Sequence, residues 1–407
     1  MKIVNDLVGT VITEAKLERY RDWVLNLAIQ LPEPLVVSSI GLGQKLKNMQ
    51  SKKKIIFPDT LFFFITNKCN QSCVHCFYAA ELNVPSQGLT LDEIQKICRS
   101  IKGKIPTVLL CGGEPTTRPD LADIVKAFFQ VGNVDRLFIT SNGVLQDRLL
   151  GTVEAVLNLK KRAQLRIPIS LDGPEQVHDK IRKYPGGYKK AMDTLLKLKA
   201  IHKRDDRIVP LVTSVIQKGN AEVFFDFYKE LRETVGCEVQ YLLIRQDSRD
   251  VGGLDKKILL NAGNAEDLLP PPEVCRKIVQ EIENYEHKKS GRKILSYFRS
   301  SMAEHHLTVV KENRSVAPCV APYSFATIFP DGGTSLCELV HPYANIRDFD
   351  CDLLKCWNSE KARQQREQLS SCWCTYPCAL VNSVLRDPKA FKKSLQYIKS
   401  QLKSEEK

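Results

Sequence analysis

The sequence lacks the long apolar segment that a membrane-spanning helix requires. No run of eighteen apolar residues occurs among its 407 residues, and a helix that crosses a bilayer needs about 20. The first residues, Met1–Asp6, also lack the basic region and the apolar core of a secretory signal. We therefore expect a cytoplasmic protein that has no membrane partner.

A motif typical of nucleic-acid-binding modules is also missing, although the formal net charge is +13. The lysines occur in scattered groups, such as Lys52–Lys54 and Lys392–Lys393, without interleaved aromatic residues. This pattern favours a solvated basic surface and predicts no nucleic-acid partner. A surface of this charge would also attract an acidic peptide or another polyanion, and the sequence leaves that alternative open.

Cysteine, by contrast, is abundant, with 14 residues in the chain. In a cytoplasmic protein this number indicates metal or redox sites rather than disulfides. Cys69, Cys73 and Cys76 follow the apolar run 61–65, which predicts a buried strand with the cysteines on the loop at its carboxyl end. Three thiolates on one loop can hold three irons of a cubic cluster and leave the fourth iron open. The spacing alone also permits half of a structural zinc site, or free buried thiols.

The next apolar run, 107–111, ends in Gly112-Gly113-Glu114-Pro115. Two glycines let the backbone approach a ligand closely, and Glu114 places a carboxylate beside that ligand. On their own, these residue types are also typical of turns. The segment lies about forty residues after a CxxxCxxC loop, and the combination resembles the radical S-adenosylmethionine (SAM) superfamily.

That resemblance implies cofactors and a reaction. Cys69, Cys73 and Cys76 would hold a [4Fe–4S] cluster whose open iron chelates the amino and carboxylate groups of SAM. The pair Gly112–Gly113 would meet the methionine ammonium, and Glu114 would pair with its charge. An external reductant such as flavodoxin or ferredoxin would supply an electron. SAM would then be cleaved to methionine and a 5′-deoxyadenosyl radical, which abstracts hydrogen from a substrate.

Apolar runs alternate with helical patterns from Phe57 to about Arg245. Six βα units in a row favour a parallel sheet, and the family resemblance implies an α/β fold in which that sheet curls into a partial (β/α)6 TIM-like barrel. Chemistry in such barrels lies at the carboxyl ends of the strands. The predicted strands cover 60–66, 106–111, 136–141, 165–171, 208–215 and 238–244.

Polar residues follow the third and fourth predicted strands. Asn142 ends the third, Ser170 and Asp172 end the fourth, and Arg182 lies on the helical pattern that comes next. The Ser-x-Asp-Gly and His-Asp-x-x-Arg text resembles radical SAM enzymes with a SPASM or Twitch extension. By that resemblance Ser170 would bind the SAM ribose, Arg182 would pair with the SAM carboxylate, and His75 would stack on adenine. Asn142 and Asp172 would belong to the same cofactor-binding site. Without the family resemblance, the segment from Ser170 to Arg182 would be interpreted as a turn followed by a surface cation.

A second set of cysteines lies near the C-terminus. The segment 323–337 predicts a hairpin joined by Pro-Asp-Gly-Gly, with Cys337 at its end and Cys319 just before it. Zinc would take four of the five cysteines of this set. The Cys-x12-Gly-x4-Cys spacing resembles the SPASM/Twitch auxiliary domain, which implies one auxiliary [4Fe–4S] cluster held by Cys319, Cys337 and two of the three later cysteines. Those three are Cys372, Cys374 and Cys378.

Of these three, we favour Cys374 and Cys378 as ligands, while the sequence leaves Cys372 open. The remaining cysteines are predicted to be packing residues, and they are Cys98, Cys111, Cys237, Cys275, Cys351 and Cys356.

The predicted organisation has five parts. They are an N-terminal helical extension over 1–56, a core barrel over 57–245, a linker with helices over 246–310, a small α+β auxiliary-cluster domain over 311–385, and a C-terminal helix with a basic tail over 386–407.

The predicted function is that of a radical SAM oxidoreductase that oxidises or crosslinks a peptide or protein, that is, a maturase. The basic surface suits an acidic leader peptide, although the N-terminal extension shows no leader-binding winged-helix pattern. A dehydrogenase or epimerase of a sugar, an aminocyclitol or another small molecule is the alternative enzyme. A non-catalytic zinc or iron–sulfur scaffold is the alternative of another class, and Glu114 with the open three-cysteine loop argues against it.

Overall fold

The computed structural model describes residue 30 and residues 57–160, 163–245, 251–260, 268–290 and 293–405. Except for residue 30, the N-terminal helical extension predicted over 1–56 lies outside the described residues. Among the described helices, none is long and apolar enough to cross a membrane.

Six parallel strands form the centre of the fold. Each lies within two residues of its predicted position, because a run of buried apolar side chains is a strong strand signal. Neighbouring strands pair in the chain order 1 to 6. The described sheet is open, with β6 at one end, so the prediction of a partial parallel barrel is confirmed. The strands are β1 Thr60–Thr66, β2 Thr107–Gly112, β3 Arg136–Ile139, β4 Gln164–Ser170, β5 Ile208–Ile216 and β6 Glu238–Leu243.

Helices connect these strands. The first of them begins with a capping box, in which Thr90 and Glu93 bond each other's backbone. Alternation of strand and helix along the chain thus places every strand's carboxyl end on the same side of the sheet. The connecting helices are α1 Leu91–Ile101, α2 Leu121–Gln130, α3 Gln146–Leu157, α4 Glu175–Arg182, α5 Gly187–His202 and α6 Phe224–Glu230.

The predicted C-terminal hairpin forms and joins the same sheet. Strand β7, Phe325–Ile328, pairs in parallel with β1, while β8, Gly333–Ser335, and β9, Ala344–Asn345, continue in antiparallel fashion. The described sheet therefore has nine strands in the order 6-5-4-3-2-1-7-8-9. The auxiliary hairpin extends the sheet of the core at its β1 side.

The remaining helices follow the core. The two longest before the hairpin pack on each other, and the second of them also packs on the C-terminal helix, around a small apolar core that includes Phe298, Val384 and Leu395. The helices are α7 Pro272–Ser290, α8 Lys293–Glu312, α9 Ala321–Ser324, α10 Leu353–Trp357, α11 Glu360–Gln368, α12 Pro377–Arg386 and α13 Pro388–Glu405.

The main core surrounds β1. All residues of β1 after Thr60 are buried, and Phe62 meets Phe325 of β7 edge to face at 5.1 Å. Phe64 packs on Tyr78, 5.0 Å away, in the segment that follows the cysteine loop. Aromatic packing along one face of β1 therefore holds the loop that follows this strand.

Candidate functional site

The three cysteines of the first motif lie together on the loop after β1. Cys69, Cys73 and Cys76 are all partly exposed free thiols. Burial, with smaller contributions from Glu114 and the other two cysteines, raises the pKa of Cys69 to about 12. Burial and Cys73 also raise the pKa of Cys76. Mutual repulsion of this kind is the expected property of thiols gathered to share a positive centre.

Backbone contacts outside the motif shape this loop. The side chain of Asn83 accepts the Cys69 N–H at 3.0 Å and donates to the Cys69 carbonyl at 3.2 Å. The Val74 N–H donates to the carbonyl of Ile181, near the end of α4, at 2.9 Å. Sequence reasoning missed both contacts, because Asn83 and Ile181 lie outside the cysteine motif. In the structure Asn83 has a φ of 60°, the left-handed conformation that is common for asparagine in tight turns.

The two glycines after β2 allow the two strand ends to touch. Gly112 has a φ of 114°, and an added Cβ would lie 2.3 Å from the Thr66 carbonyl oxygen. A Cβ on Gly113 would lie 2.2 Å from the Lys68 carbonyl oxygen. Instead, the Gly113 and Glu114 N–H groups each donate at 2.8 Å to carbonyls of the segment before Cys69. The glycines are thus needed for the contact between the two loops, whatever they do for a ligand.

Glu114 is buried and held by four donors. One carboxylate oxygen accepts from the Thr116 N–H, the Thr116 hydroxyl and the Ser141 hydroxyl at 3.1, 2.6 and 2.9 Å. The other accepts the Asn142 N–H at 2.7 Å. Burial raises the pKa of Glu114. The carboxylate therefore joins the ends of β2 and β3 next to Cys69.

The ends of β3 and β4 also meet. Asn142 donates from its side chain to Asn70, in the cysteine loop, at 2.7 Å. Ser170 is buried at the end of β4, and its N–H donates to the Ser141 carbonyl at 2.9 Å. The structure thus brings the predicted residues Asn142 and Ser170 to the same end of the sheet as the cysteine loop.

Asp172 and Arg182 form a buried ion pair. Two guanidinium nitrogens of Arg182 lie 2.7 Å from one oxygen of Asp172, whose other oxygen accepts the Val215 N–H at 2.9 Å. A third nitrogen of Arg182 contacts the Cys73 sulfur at 3.6 Å. Asp172 therefore positions Arg182 against the cysteine loop, a contact that the sequence did not reveal.

His75 lies between two of the cysteines, and its ring contacts Gln217. The Nδ1 atom of His75 is 3.1 Å from the side-chain nitrogen of Gln217, just beyond the end of β5. Burial lowers the pKa of His75 to about 4, so the ring is neutral near pH 7. Sequence reasoning identified His75 and missed Gln217, because a polar residue after a strand is common.

Buried polar atoms without partners surround the cysteine loop. Within the described residues, three amide atoms have no hydrogen-bond partner: Nδ2 of Asn70, Nε2 of Gln71 and Oε1 of Gln217. The described part of the chain contains no group of three His, Cys, Asp or Glu side chains arranged to hold a single metal ion. Three thiols beside unpaired polar atoms fit, by their chemistry, a thiolate-bound cluster with a polar ligand next to it.

Four of the five C-terminal cysteines also influence one another. A hydrogen bond between the thiols of Cys319 and Cys372 lowers the pKa of Cys319 and raises that of Cys372. Burial raises the pKa of Cys337, with added effects of Cys374 and Cys319. Burial, followed by Cys319, raises the pKa of Cys374 to about 12. The hairpin and the loop before α12 thus bring four thiols together.

Cys378 has different neighbours. It is solvent-accessible, yet the surrounding protein and then Glu338 raise its pKa to about 11, while Tyr376 and Arg245 lower it. This arrangement favours Cys372 over Cys378 as a ligand, and the choice stays a prediction.

Of the cysteines predicted to pack, Cys111 is only partly buried, at the end of β2. The others are buried as expected, namely Cys98, Cys237, Cys275, Cys351 and Cys356.

Arg245 connects the two cysteine groups, and sequence reasoning did not identify it. Its guanidinium carbon lies 3.5 Å from the ring centroid of Phe77, the residue after Cys76. It also pairs with Glu338, next to Cys337, and lies 5.0 Å from the ring centroid of Tyr376. The side chains of Arg245 and Glu338 are only 15% and 7% exposed. The surroundings of both cysteine groups therefore share one buried cation.

Comparison with known proteins relates part of the chain to a family. Residues 63–231 match the sequence model of the Radical SAM superfamily. The matched segment begins in β1, ends after α6, and contains the cysteine loop, the two glycines, Glu114 and the Asp172–Arg182 pair.

Curated relatives match a similar part of the chain. An AdoMet-dependent heme synthase of Methanosarcina barkeri is 32% identical over 180 residues, which are 43% of this chain and 48% of that protein. The sporulation killing factor maturation protein SkfB of Bacillus subtilis is 26% identical over 166 residues, 41% of this chain and 38% of that protein. The chain thus spans about half, or less, of the length of these relatives.

Solved structures share the fold over more of the chain. SuiB of Streptococcus suis bound to S-adenosylmethionine has a TM-score of 0.54 at 16% identity, covering 85% of this chain and 75% of that chain. Native anSMEcpe with bound AdoMet and a peptide has the same TM-score and identity, covering 85% of this chain and 98% of that chain. The family match, the cysteine loop and the adjoining strand ends agree. Residues 63–231 are therefore similar to the Radical SAM superfamily, whose members use a [4Fe–4S] cluster and SAM.

Proposed function

We propose that the chain is a radical SAM enzyme that abstracts a hydrogen atom from a peptide or protein and thereby oxidises or crosslinks it. The observation that carries this proposal is the position of the Arg245 side chain between the two cysteine groups. Its side chain contacts the residue after Cys76 and pairs with the residue after Cys337. We therefore place the substrate between the two cysteine groups that this one cation connects.

The groups of this chain have distinct tasks in the proposed site. When bound, the first cluster and SAM supply the radical that abstracts hydrogen, and an auxiliary cluster supplies an acceptor for a second electron. Glu114 provides a fixed negative charge for the ammonium group of SAM, since one of its oxygens has a single donor among the described residues. Arg182 holds one side of the cysteine loop in place, because its guanidinium contacts the Cys73 sulfur.

We assign the auxiliary cluster to Cys319, Cys337, Cys372 and Cys374. The thiol–thiol hydrogen bond between Cys319 and Cys372 and the repulsion of Cys374 with Cys319 and Cys337 support this set. Thiolates are the ligands that iron–sulfur clusters take most often. The set differs from the preference drawn from the sequence, where Cys378 took the place of Cys372.

Peptide modification is the substrate class that the neighbours support. SkfB is described as a maturation protein, and the structures that share this fold include SuiB bound to its precursor peptide SuiA. The net charge of +13 suits an acidic peptide. A small-molecule reaction is the second candidate, favoured by the 32% identity to a heme synthase.

Anaerobic reconstitution tests the proposed chemistry. Wild-type protein should bind about eight irons per chain and, with SAM and dithionite, release 5′-deoxyadenosine. Replacement of Cys69, Cys73 and Cys76 by alanine should abolish 5′-deoxyadenosine and leave about four irons. Stoichiometric zinc in a colourless protein, or unchanged turnover in the triple variant, would contradict the proposal.

The substrate class has its own experiment. Fractions of a cell extract are added to the reconstituted enzyme, and the rate of 5′-deoxyadenosine formation is compared before and after protease treatment of the fraction. Stimulation that protease destroys supports a peptide or protein substrate. Stimulation that survives protease and passes a small-pore filter favours the small-molecule reaction.

A further inference from the structure

Gln217 is a buried polar side chain that faces the cysteine loop. It follows β5 directly and is 0% exposed. Its side-chain nitrogen lies 3.1 Å from Nδ1 of His75, which stands between Cys73 and Cys76. The amide thus reaches across the site from the strand that lies four positions from β1 in the sheet.

A second amide sets the position of Gln217. Asn220 accepts the Gln217 N–H at 2.9 Å, and its side-chain nitrogen donates to the carbonyls of Asp172 and Val215 at 2.7 and 2.8 Å. Asn220 is itself buried. It ties the end of β5 to the turn after β4, so the Gln217 side chain starts from a fixed backbone rather than from a mobile loop.

The two polar atoms of the Gln217 amide differ in their hydrogen bonding. Its nitrogen donates to Nδ1 of His75, which places the ring proton on Nε2. Its oxygen is buried and has no hydrogen-bond partner among the residues that the structure describes. A buried acceptor without a donor is costly and rare in folded proteins. The unpaired oxygen therefore indicates a ligand that brings a donor to this point.

We propose that Gln217 is a SAM-binding residue, an inference that rests on the proposed radical SAM function. Its oxygen accepts a hydrogen bond from the adenosyl group, through the exocyclic amine or a ribose hydroxyl. Its nitrogen holds the His75 ring in one orientation and one tautomer. The same amide thus contacts the cofactor directly and positions a residue of the cysteine loop.

Equilibrium dialysis of SAM against the anaerobically reconstituted full-length protein measures this role. Gln217→Met has a side chain of similar length, no hydrogen-bond donor and only a weak acceptor, so its Kd for SAM should be about 10-fold higher than that of the wild type. Lys218→Met changes the exposed neighbouring position and should bind SAM as the wild type does. Iron content and thermal unfolding verify that each variant is folded and loaded. If Gln217→Met does not fold, Gln217→Asn, which is one methylene too short for the contact, replaces it with the same expectation.

Double variants separate the direct contact from the action through His75. His75→Phe keeps a ring and removes Nδ1, so the His75→Phe/Gln217→Met pair should still bind SAM several-fold more weakly than His75→Phe alone. Equal affinities of these two proteins would overturn the direct contact, and a wild-type Kd in Gln217→Met would overturn the whole inference. Loaded wild-type protein that does not bind SAM would instead contradict the proposed function on which the inference rests.

Discussion

The cysteine loop owes its shape to side chains that lie outside its motif. The spacing of Cys69, Cys73 and Cys76 is a local pattern, so the sequence predicts where the loop lies. The Asn83 side chain that brackets Cys69 lies 14 residues later, and Gln217 lies 142 residues from His75. Only the folded sheet brings these residues together, and neither belongs to a pattern that spacing could detect.

Two residues have protein partners that the sequence did not predict. By family resemblance, Glu114 and Arg182 were expected to contact SAM. In the structure Glu114 accepts from Thr116, Ser141 and Asn142, and Arg182 pairs with Asp172. A buried charge needs several partners to offset its desolvation. Residues predicted to bind a ligand, such as these two, therefore also stabilise the fold through contacts with other protein groups.

The choice among the late cysteines gives a prediction at the residue scale. Cys372→Ser should lose about four irons on anaerobic reconstitution, because Cys372 belongs to the group of four interacting thiols. Iron and acid-labile sulfide content, with the absorbance near the thiolate-to-iron band, measure the loss.

Cys378→Ser is the matched control, since it removes a thiol six residues away with different neighbours. It should keep the full iron content. Loss of iron in Cys378→Ser with retention in Cys372→Ser would restore the set preferred from the sequence and contradict the assignment.

At the scale of elements, the positions of the core strands were predictable, whereas the pairing of strands far apart in the chain was not. Each core strand is a run of apolar residues, and successive βα units pair in order, so chain order gives the sheet order from β1 to β6. The place of the hairpin is different. Strand β7 follows β6 by about eighty residues, and no local pattern states that it pairs with β1 rather than with β6.

Helix α1 shows the same contrast between local and distant contacts. The capping box of Thr90 and Glu93 is visible in the sequence and present in the structure. Glu93 also pairs with Arg347, just after β9, which lies 254 residues later. The Arg347 hydrogen bond, more than any other contact, lowers the pKa of Glu93 to about 2. One carboxylate thus begins a helix of the barrel and attaches the hairpin to it.

Glu93→Gln should lower the free energy of unfolding by about 1 kcal/mol near neutral pH, given a partly exposed ion pair. Because the folded pKa lies below the ordinary value of 4.5, the stabilisation by wild-type Glu93 is complete above about pH 4.5 and declines as the pH falls toward 2. The difference between wild type and variant should shrink over that window, as measured by urea unfolding at a series of pH values.

Glu360→Gln provides the comparison, because Glu360 pairs with Arg363 on an exposed helical face, where the two side chains are 64% and 59% exposed. Its unfolding should hardly differ from that of the wild type at any pH. Because glutamine can still cap the helix, a pH-independent difference for Glu93→Gln would contradict the ion pair as the source of the stabilisation.

At the scale of the whole molecule, Arg245 and Glu338 join opposite parts of the sheet. Arg245 lies two residues beyond β6, whereas Glu338 lies three beyond β8. Arg245→Met would leave the Glu338 carboxylate buried without its cation, so unfolding should become easier by about 3 kcal/mol or more. The midpoint of urea unfolding measures this change.

The double variant Arg245→Met/Glu338→Gln removes both charges and should recover a large part of the loss, because no unpaired charge then stays buried. If the double variant is as unstable as Arg245→Met alone, the packing of the guanidinium on Phe77, and not the ion pair, is the main contribution.

Pairing of β7 with β1 runs from Thr60 opposite Phe325 to Phe63 opposite Ile328. A fragment cut at the end of the family match would leave this side of β1 without its hydrogen-bonding neighbour, flanked by exposed phenylalanines. Bare, apolar strand edges recruit other chains and aggregate. We therefore expect residues 63–231 to aggregate when expressed alone, and a truncation meant to isolate them has to retain the hairpin.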